Sequence, residues 1–297
     1  MHLPPGLTSR PLRPDDAHRV YELMVANESH DVGEAAIDLE DIVSHWQRPS
    51  FDLATQSVGV LSGDDLVAYA EVFNGRYGDA AVPPEWRGRG IGTWLAAWMR
   101  AEARRQGGSL VGMPVPEGSD GDRLLERLGY HVAWTSWLLE LPSGAEISPQ
   151  PLPEGYAIRA FMPGEERAVY QVVEDAFNEW QDRMPTPFDD WEAHVVRRPG
   201  FEPWQLRVAT DPAGEIVGIG WVILSGDVGF VMTLAVRKDQ RRQGLARALL
   251  VDCFAVSRAQ GRPRAQLSTD SRTGALGLYE RVGMEVTQTW LHRAIAV

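Results

Sequence analysis

The chain has 297 residues, of which 44% are hydrophobic and 24% are charged, and its formal net charge is −12. This length and composition can fill two packed domains and exclude a disordered chain. An acidic surface repels phosphate backbones, so we expect no nucleic-acid partner. The single cysteine, Cys253, excludes an intrachain disulfide and a cysteine-built metal centre.

The chain also shows no pattern of a metal site or a membrane segment. Its seven histidines are scattered without ligand spacing, so we predict no metal. No apolar run approaches the roughly 20 residues of a membrane helix, and the proline-rich start does not fit a signal peptide. We therefore expect a cytoplasmic protein without membrane contact.

The first half of the chain alternates helical and strand patterns. Hydrophobic periodicity predicts, in order, a helix over 15–26, strands over 57–61 and 66–73, a helix over 91–106, a strand over 110–113, a helix over 123–128 and a strand over 130–141. Residues 142–153 carry four prolines and no periodicity, which is typical of a linker. We therefore predict two domains, over residues 1–148 and 149–297.

The second half repeats the same order of elements. The pattern predicts a helix over 165–177, strands over 206–209, 216–224 and 228–236, a helix from Gly244 to about Gln260, a strand over 265–268, a helix over 275–281 and a strand over 285–294. Helices that alternate with a mixed sheet indicate an α/β fold with α+β layering in each half.

An internal repeat relates the halves at an offset of 154 residues. The residues that are identical at this offset include Val82 and Val236, Arg87 and Arg241, and Gly90 and Gly244. The segments 124–129 and 278–283 keep the same offset. Agreement over such a distance indicates a duplicated domain rather than a short-period array.

Each copy carries a glycine-rich turn between a strand and a helix. In Arg241–Ala246, the first N–H groups of the helix lack internal partners, and the helix dipole adds partial positive charge. Such a point binds an anion, particularly a diphosphate. Gly244 lets the backbone approach the anion, while Arg241 and Arg242 can add charged hydrogen bonds. One copy alone could be a packing turn, but two copies favour binding.

These residues carry a family resemblance. The Arg-x-x-Gly-x-Gly/Ala turn resembles the acetyl-CoA pyrophosphate loop of the GNAT superfamily of N-acetyltransferases, and Ala275–Met284 resembles its second CoA-proximal motif. Because both halves match, the chain is similar to tandem-domain members of that superfamily. The resemblance implies a twisted mixed sheet in each half, splayed at its centre, with acyl-CoA in the split.

The resemblance also assigns cofactor contacts. It implies that the backbone of Leu234, Ala235 and Val236 pairs with the pantetheine arm like an added strand. The loop would contribute Arg241, Arg242, Gln243, Gly244, Leu245 and Ala246, with Ser271 or Thr273 in place of an Asn that many relatives carry. In the first half, the matching residues are Val82, Arg87, Gly88, Arg89, Gly90, Ile91 and Gly92.

Acyl transfer to an amine needs a proton for the departing thiolate. Tyr279 stands at the position of the family's general acid, and a phenol with a pKa near 10 is protonated at neutral pH. The general base is less defined, because the strand before the loop contains no carboxylate. Asp227 and Asp270 are the nearest acidic candidates, and a water relay is an equal alternative; Asp227 is our residue-level prediction.

Two further features bear on the reaction. Cys253 lies on the apolar face of the helix after Gly244, which indicates a packed core thiol rather than an acyl-enzyme. Aromatic residues gather between the first helix and second strand of the C-terminal half, where the family covers its acceptor pocket, namely Phe177, Trp180, Phe188, Trp191, Phe201 and Trp204. They either shape the amine site or simply pack a helical layer.

We therefore predict an acetyl-CoA-dependent N-acetyltransferase of a small-molecule primary amine, acting by direct attack in a ternary complex. The alternatives are a protein or peptide N-acetyltransferase and a non-catalytic acyl-CoA-binding module. Leu125 aligns with Tyr279, so we expect catalysis in the C-terminal half. The N-terminal half would hold acetyl-CoA without turnover or only brace its partner, in a monomer whose halves form a pseudo-dimer.

Overall fold

A computed structural model describes residues 2–145, 147–149, 151–179 and 183–297. Its packing divides the chain into two units. The N-terminal unit contains the residues up to Ser136 together with Gln288–Val297, and the C-terminal unit contains Trp137–Thr287. The predicted boundary between residues 148 and 149 falls inside the second unit, because that unit already begins at Trp137. The end of the chain, from Gln288 on, belongs to the first unit.

The N-terminal unit places helices on both faces of one sheet. Its elements are β1 (Thr8–Arg10), α1 (Ala17–Val32), α2 (Leu39–Trp46), α3 (Leu53–Gln56), β2 (Ser57–Ser62), β3 (Asp65–Phe73), β4 (Tyr77–Ala81), α4 (Ile91–Arg105), β5 (Leu110–Pro116), α5 (Asp120–Arg127) and the start of β6 (His131–Glu140). The strand order is β1-β2-β3-β4-β5, followed by β12 (Glu285–Ala296). Residues Trp290–Ala296 pair antiparallel with the whole of β5, so the chain end completes this sheet.

The C-terminal unit repeats this plan. Its elements are β7 (Ala157–Ala160), α6 (Glu166–Phe177), α7 (Phe188–His194), β8 (Leu206–Thr210), β9 (Ile216–Ser225), β10 (Val228–Val236), α8 (Leu245–Ala259), β11 (Arg264–Asp270) and α9 (Leu276–Arg281). The strand order is β6-β11-β10-β9-β8-β7, with β10 and β11 parallel and β7 to β10 antiparallel. The later residues of β6 lie beside β11, where Leu141 N donates to Ala265 O at 2.9 Å.

Alternation along β9 separates the two faces of the C-terminal sheet. Gly218, Gly220 and Val222 face α8, whereas Ile219 and Trp221 pack with α6 and α7. Small residues let α8 approach closely, since a Cβ on Gly220 would lie 2.5 Å from Cys253 Sγ. A larger residue at that position would therefore push the helix away from the sheet.

The structure confirms the predicted mixed sheet flanked by helices in each half. It also confirms Cys253 as a core residue, since the side chain is fully buried and burial raises the pKa of the thiol. Six short elements were not predicted from the sequence, namely β1, α2, α3, β4, β7 and α7. Within the described residues, none of the helices combines the length and apolarity needed to cross a membrane.

Candidate active site

The C-terminal sheet is split at its centre. β10 pairs with β11 from Val228 to Val231, and the register on the other side of β10 shifts between Val231 and Thr233. Beyond this bulge, Leu234–Val236 pair with β9 and with no second strand in the described part of the chain. Alternate backbone groups of these residues therefore face an open edge, which can accept an extended ligand as an added strand.

The glycine-rich loop follows directly after that open edge. Gly244 caps α8 with a φ of 84°, in the left-handed region that favours glycine. The first helical hydrogen bond of this turn runs from Ala248 N to Gly244 O at 3.0 Å. The N–H groups of Leu245, Ala246 and Arg247 precede that bond, so an anion at this end would satisfy donors that the helix itself cannot.

The loop side chains differ in their surroundings. Arg241 Nε lies 3.1 Å from Val236 O, and its two terminal nitrogens lie 3.0 and 3.1 Å from the carboxylate of Glu179. Gln243 Nε2 donates to Gln240 Oε1 at 3.1 Å, whereas Arg242 is exposed. The guanidinium of Arg241 is therefore already engaged within the protein, and its pairing lowers the pKa of Glu179.

Tyr279 lies on α9, which follows β11. Its side chain is 7% exposed and belongs to the hydrophobic cluster that includes Leu267, Val282 and Met284. Burial raises the pKa of the phenol to about 12. The phenol is therefore protonated throughout the neutral range and can act only as a proton donor there.

The two acidic candidates lie at opposite ends of the split strands. Asp227 precedes β10, its side chain is 63% exposed, and it lies 3.5 Å from Arg264. Nine residue steps separate it from Val236, about 30 Å along a strand. Asp270 ends β11 and pairs with Arg272 at 2.5 Å. The structure thus does not bring Asp227 to the open edge, because the strand itself holds the two apart.

The turn after β11 uses its own polar groups internally. The hydroxyl of Thr273 lies 2.9 Å from Thr269 Oγ1, donates to Asp270 O at 2.8 Å and accepts from Ala275 N at 3.0 Å. Ser271 is exposed. The hydroxyl of Thr273, one of the two predicted to contact the cofactor, thus stabilises the start of α9.

The N-terminal unit carries the same split and loop. β4 pairs with β5 at a single position, Tyr77 with Gly112, and Gly88 and Gly90 both adopt positive φ before α4 begins at Ile91. Of the remaining predicted residues, Val82 accepts from Arg87 Nε at 3.1 Å, Arg89 stacks on Trp86 at 4.5 Å, and a Cβ on Gly92 would lie 2.7 Å from Leu124. Leu125 is buried at the position that matches Tyr279.

A polar cluster beside the N-terminal split was missed from the sequence. On β3 and β4, Glu71 lies directly opposite Asp79. Tyr69 donates to Asp79 Oδ2 at 3.0 Å, while His45 Nε2 and Trp46 Nε1 each lie 3.0 Å from Glu71. Burial, with the nearby Glu71 charge, raises the pKa of Asp79 to about 6. Polar residues alternating with small apolar ones on β3 were the available signal.

The aromatic layer of the C-terminal unit packs around α6 and α7. Tyr170, Phe188 and Trp191 form edge-on or stacked contacts with ring centroids 5.3 to 6.0 Å apart. Of the predicted aromatic residues, Phe201 contacts Phe161 across 6.2 Å, and Trp180 lies outside the described residues. Phe188 and Trp191 therefore belong to the layer that covers the sheet.

Comparisons with known proteins agree with this geometry. The acetyltransferase (GNAT) family model matches residues 167–284. A mycothiol acetyltransferase from Salinispora arenicola is 31% identical over 242 residues, which cover 76% of this chain and 75% of that protein. One from Actinosynnema mirum is 29% identical over 297 residues, covering 92% of this chain and 93% of its own.

Solved structures give the same result over the whole chain. A GCN5-related N-acetyltransferase from Sphaerobacter thermophilus aligns with a TM-score of 0.76 and 29% identity, covering 99% of this chain and 97% of that one. A tandem GNAT protein from the clavulanic acid biosynthesis pathway aligns with a TM-score of 0.74 at 16% identity, covering 98% of each, which shows the fold. The chain therefore belongs to the GNAT family. It is an N-acetyltransferase of the tandem type.

Proposed function

We propose that the C-terminal unit transfers an acetyl group from acetyl-CoA to a primary amine of a small molecule. The observation that carries this proposal is the open edge of Leu234–Val236, which leads directly into the glycine-rich start of α8. An extended chain ending in a diphosphate fits both parts, because the edge offers strand hydrogen bonds and the helix offers N–H donors.

Different residues serve the separate steps of this proposed reaction. Acetyl-CoA supplies a thioester whose carbonyl carbon the amine attacks. Leu234–Val236 hold the extended arm, and the N–H groups of Leu245 and Ala246 hold the diphosphate. Tyr279 keeps a proton on its phenol oxygen for the sulfur that leaves. The proton of the amine passes to water, because Asp227 lies at the other end of β10 and Asp270 is paired with Arg272.

The acceptor is proposed from two lines of support. The layer of Tyr170, Phe188 and Trp191 lies on the face of the sheet opposite α8, where it can enclose a small molecule. Several similar proteins carry the name mycothiol acetyltransferase. A primary amine of a mycothiol precursor therefore belongs among the first substrates to test.

The test is release of free thiol when the protein is incubated with acetyl-CoA and a panel of amines. The panel contains small amines, the mycothiol precursor and peptides with free amino groups, and Tyr279→Phe serves as the control protein. We expect release with at least one small amine and much slower release by the variant. Release with peptides alone would favour a protein acetyltransferase, and none above background would favour a binding module.

A further inference from the structure

Two polar side chains lie next to the open edge of the C-terminal sheet. Thr233 directly precedes Leu234, where β10 has left β11, and it lies opposite Trp221 on β9. Directly opposed residues on antiparallel strands present their side chains on the same face, with Cβ atoms about 4.5 to 5.5 Å apart. In the proposed function the arm of acyl-CoA extends from the start of α8 along the edge toward this point. The pair therefore flanks the place where an acceptor amine must arrive.

Trp221 carries a hydrogen-bond donor that the described residues leave unused. The residue is 3% exposed, and its indole N–H is buried without a hydrogen-bond partner among them. The ring packs in the apolar layer with α6 and α7, where His194 contacts it edge-on at 5.6 Å between ring centroids. Buried indole N–H groups usually have a partner, because an unpaired buried donor costs free energy. This donor is available to an oxygen of a bound molecule, on the face that the proposed function assigns to the acceptor.

The hydroxyl of Thr233 is a second available group on this face. Thr233 is partly exposed, and its hydroxyl makes no hydrogen bond to the residues that the structure describes. A hydroxyl can donate and accept, so it can share a ligand oxygen with the indole N–H or bind a second polar atom. Because Thr233 is partly exposed while Trp221 is covered, a ligand reaches the indole past Thr233.

The N-terminal unit fills the same two positions in the opposite way. They hold Glu71 and Asp79, which accept hydrogen bonds from the protein itself. Trp46 Nε1 lies 3.0 Å from Glu71, and the hydroxyl of Tyr69 lies 3.0 Å from Asp79. In one copy of the fold the strand residues are acceptors with internal donors, and in the other they offer donors to which the described residues bring no acceptor. The C-terminal pair is therefore suited to a ligand that supplies the acceptor.

We propose that Trp221 and Thr233 select acceptor amines that carry a neutral hydrogen-bond-accepting oxygen close to the amino group, such as a hydroxyl, an ether or an amide carbonyl. The oxygen accepts from the indole N–H while the amino nitrogen faces the thioester. The two residues position the acceptor and take no part in proton transfer. This inference rests on the proposed function, because it names the substrate class of the same site.

A neutral oxygen fits this place better than a carboxylate. The residues of the cluster around Trp221, such as Leu206 and Ile219, are apolar, and a carboxylate buried among such groups without a cation is costly. A hydroxyl or carbonyl oxygen needs only the donor that the indole offers. A wholly apolar amine would leave that donor unpaired and would bind more weakly. The substrate class thus follows from a single donor in apolar surroundings.

The test measures kcat/KM for matched amines that differ at one polar group. The pairs are 2-aminoethanol with propylamine, 2-methoxyethylamine with butylamine, and glycinamide with isobutylamine. A pair that binds without reacting is measured as a competitive inhibitor of an amine that reacts. The proteins are the unaltered chain, Trp221→Phe, Thr233→Val and, as the matched control, Trp46→Phe, which removes an indole N–H that already has a partner. Comparing preferences between proteins cancels the differences in basicity between the amines.

We expect Trp221→Phe to lower the preference for the oxygen-bearing member of each pair at least about tenfold, with KM for acetyl-CoA unchanged. Thr233→Val should lower this preference by less, and Trp46→Phe should leave it unchanged. A purely structural role of Trp221 would instead reduce kcat/KM equally for both members of each pair. In a nitrogen-15 spectrum, the indole resonance of Trp221, assigned by its loss in Trp221→Phe, should shift with the oxygen-bearing amine only.

An equal loss for both members of each pair in folded Trp221→Phe would overturn this inference. A preference of the unaltered protein for glycine over glycinamide would also overturn it, because it would indicate a carboxylate site. If Trp221→Phe does not fold, Thr233→Val decides in the same way, and an unchanged preference would count against the inference. Absence of turnover with every amine by the unaltered protein would instead overturn the proposed function.

Discussion

The two units share one arrangement of strands and helices, but they carry different side chains beside the split in the sheet. In the C-terminal unit, Thr233 on β10 lies opposite Trp221 on β9. In the N-terminal unit, the matching pair on β4 and β3 is Asp79 and Glu71. Both pairs lie just beyond the point where the parallel strands separate. The duplicated backbone therefore keeps its split and loop, while the side chains beside the split have changed from uncharged to acidic or the reverse.

The partners of these pairs have changed with them. His45 on α2 contacts Glu71, whereas His194, on the corresponding α7, packs its ring against Trp221 at 5.6 Å between centroids. The indole N–H of Trp221 is buried and has no hydrogen-bond partner among the described residues. The two units therefore share the loop and the split, and they differ in the side chains that the flanking strands and helices place beside the split.

The largest effect is expected at Tyr279, the proposed proton donor of the C-terminal unit. Tyr279→Phe should lower kcat by about 100-fold, the lower range for losing a general acid. KM for acetyl-CoA should change little, because the phenol contributes to proton transfer rather than to holding the cofactor. Steady-state measurement of thiol release gives both constants. An unchanged kcat in a folded variant would remove Tyr279 from the mechanism.

A second, smaller effect concerns the loop. Gly244→Val places a β-branched residue at a φ of 84° and blocks the approach of an anion to the backbone. Acetyl-CoA should bind the C-terminal unit at least tenfold more weakly, which corresponds to about 1.4 kcal/mol. Calorimetry on a variant with a native circular dichroism spectrum measures this. Unaltered binding would mean that the loop does not hold the cofactor.

The acidic pair predicts a pH effect on stability. The folded-state pKa of Asp79 is raised to about 6 by burial, with Tyr69, Glu71, His45 and Glu28 facing it, so the folded protein binds this proton more tightly than the unfolded chain. The stabilisation is complete below the ordinary pKa of about 4 and is lost as pH rises through about 6.

Thermal unfolding measured across this pH range tests whether stability falls as the pH rises. The unfolding temperature should fall by a few degrees between about pH 4 and 7 on account of this group. Asp79→Asn, which has no proton to lose, should flatten that part of the profile. Thr233→Val in the C-terminal unit is the matched control and should leave the slope unchanged. A variant profile as steep as the original would contradict the assignment to Asp79.

The smallest effect is expected at the cysteine. Cys253 is fully buried on the side of α8 that faces the sheet, so Cys253→Ala should lower the unfolding temperature slightly through a small cavity. Turnover should stay the same, because in the proposed reaction the acetyl group passes directly to the amine. A mass spectrum of the protein after incubation with acetyl-CoA alone should show no acetylated Cys253. Loss of turnover in the folded variant would favour an acyl-enzyme instead.

The long, strongly patterned elements could be predicted from the sequence, whereas the short polar ones could not. α8 and β10 were predicted from their apolar runs, and the loop from its glycines. β4, with the sequence Tyr-Gly-Asp-Ala-Ala, was missed because glycine, aspartate and alanine are poor strand formers. With β4 unrecognised, Asp79 could not be placed opposite Glu71, and the polar cluster of the N-terminal unit stayed hidden.

Only part of the candidate active site could be predicted from the sequence, for a similar reason. Spacing indicated Gly244 and Tyr279, because each occupies a recognisable motif. The pairing of Arg241 depends on Glu179, which lies 62 residues away in the sequence. The place of the last strand in the N-terminal unit depends on pairing between residues 174 to 186 positions apart, which a local sequence pattern cannot indicate.

The central claim is that acetyl transfer takes place in the C-terminal unit. The most direct test compares kcat for amine-dependent thiol release by Gly90→Val and by Tyr279→Phe, both confirmed as folded. Gly90 and Gly244 have nearly equal φ values, 87° and 84°, so the N-terminal change imposes the same kind of strain. We predict that Gly90→Val keeps turnover close to that of the unaltered protein and that Tyr279→Phe loses about 100-fold. Loss of turnover by Gly90→Val with full activity of Tyr279→Phe would place the reaction in the other unit.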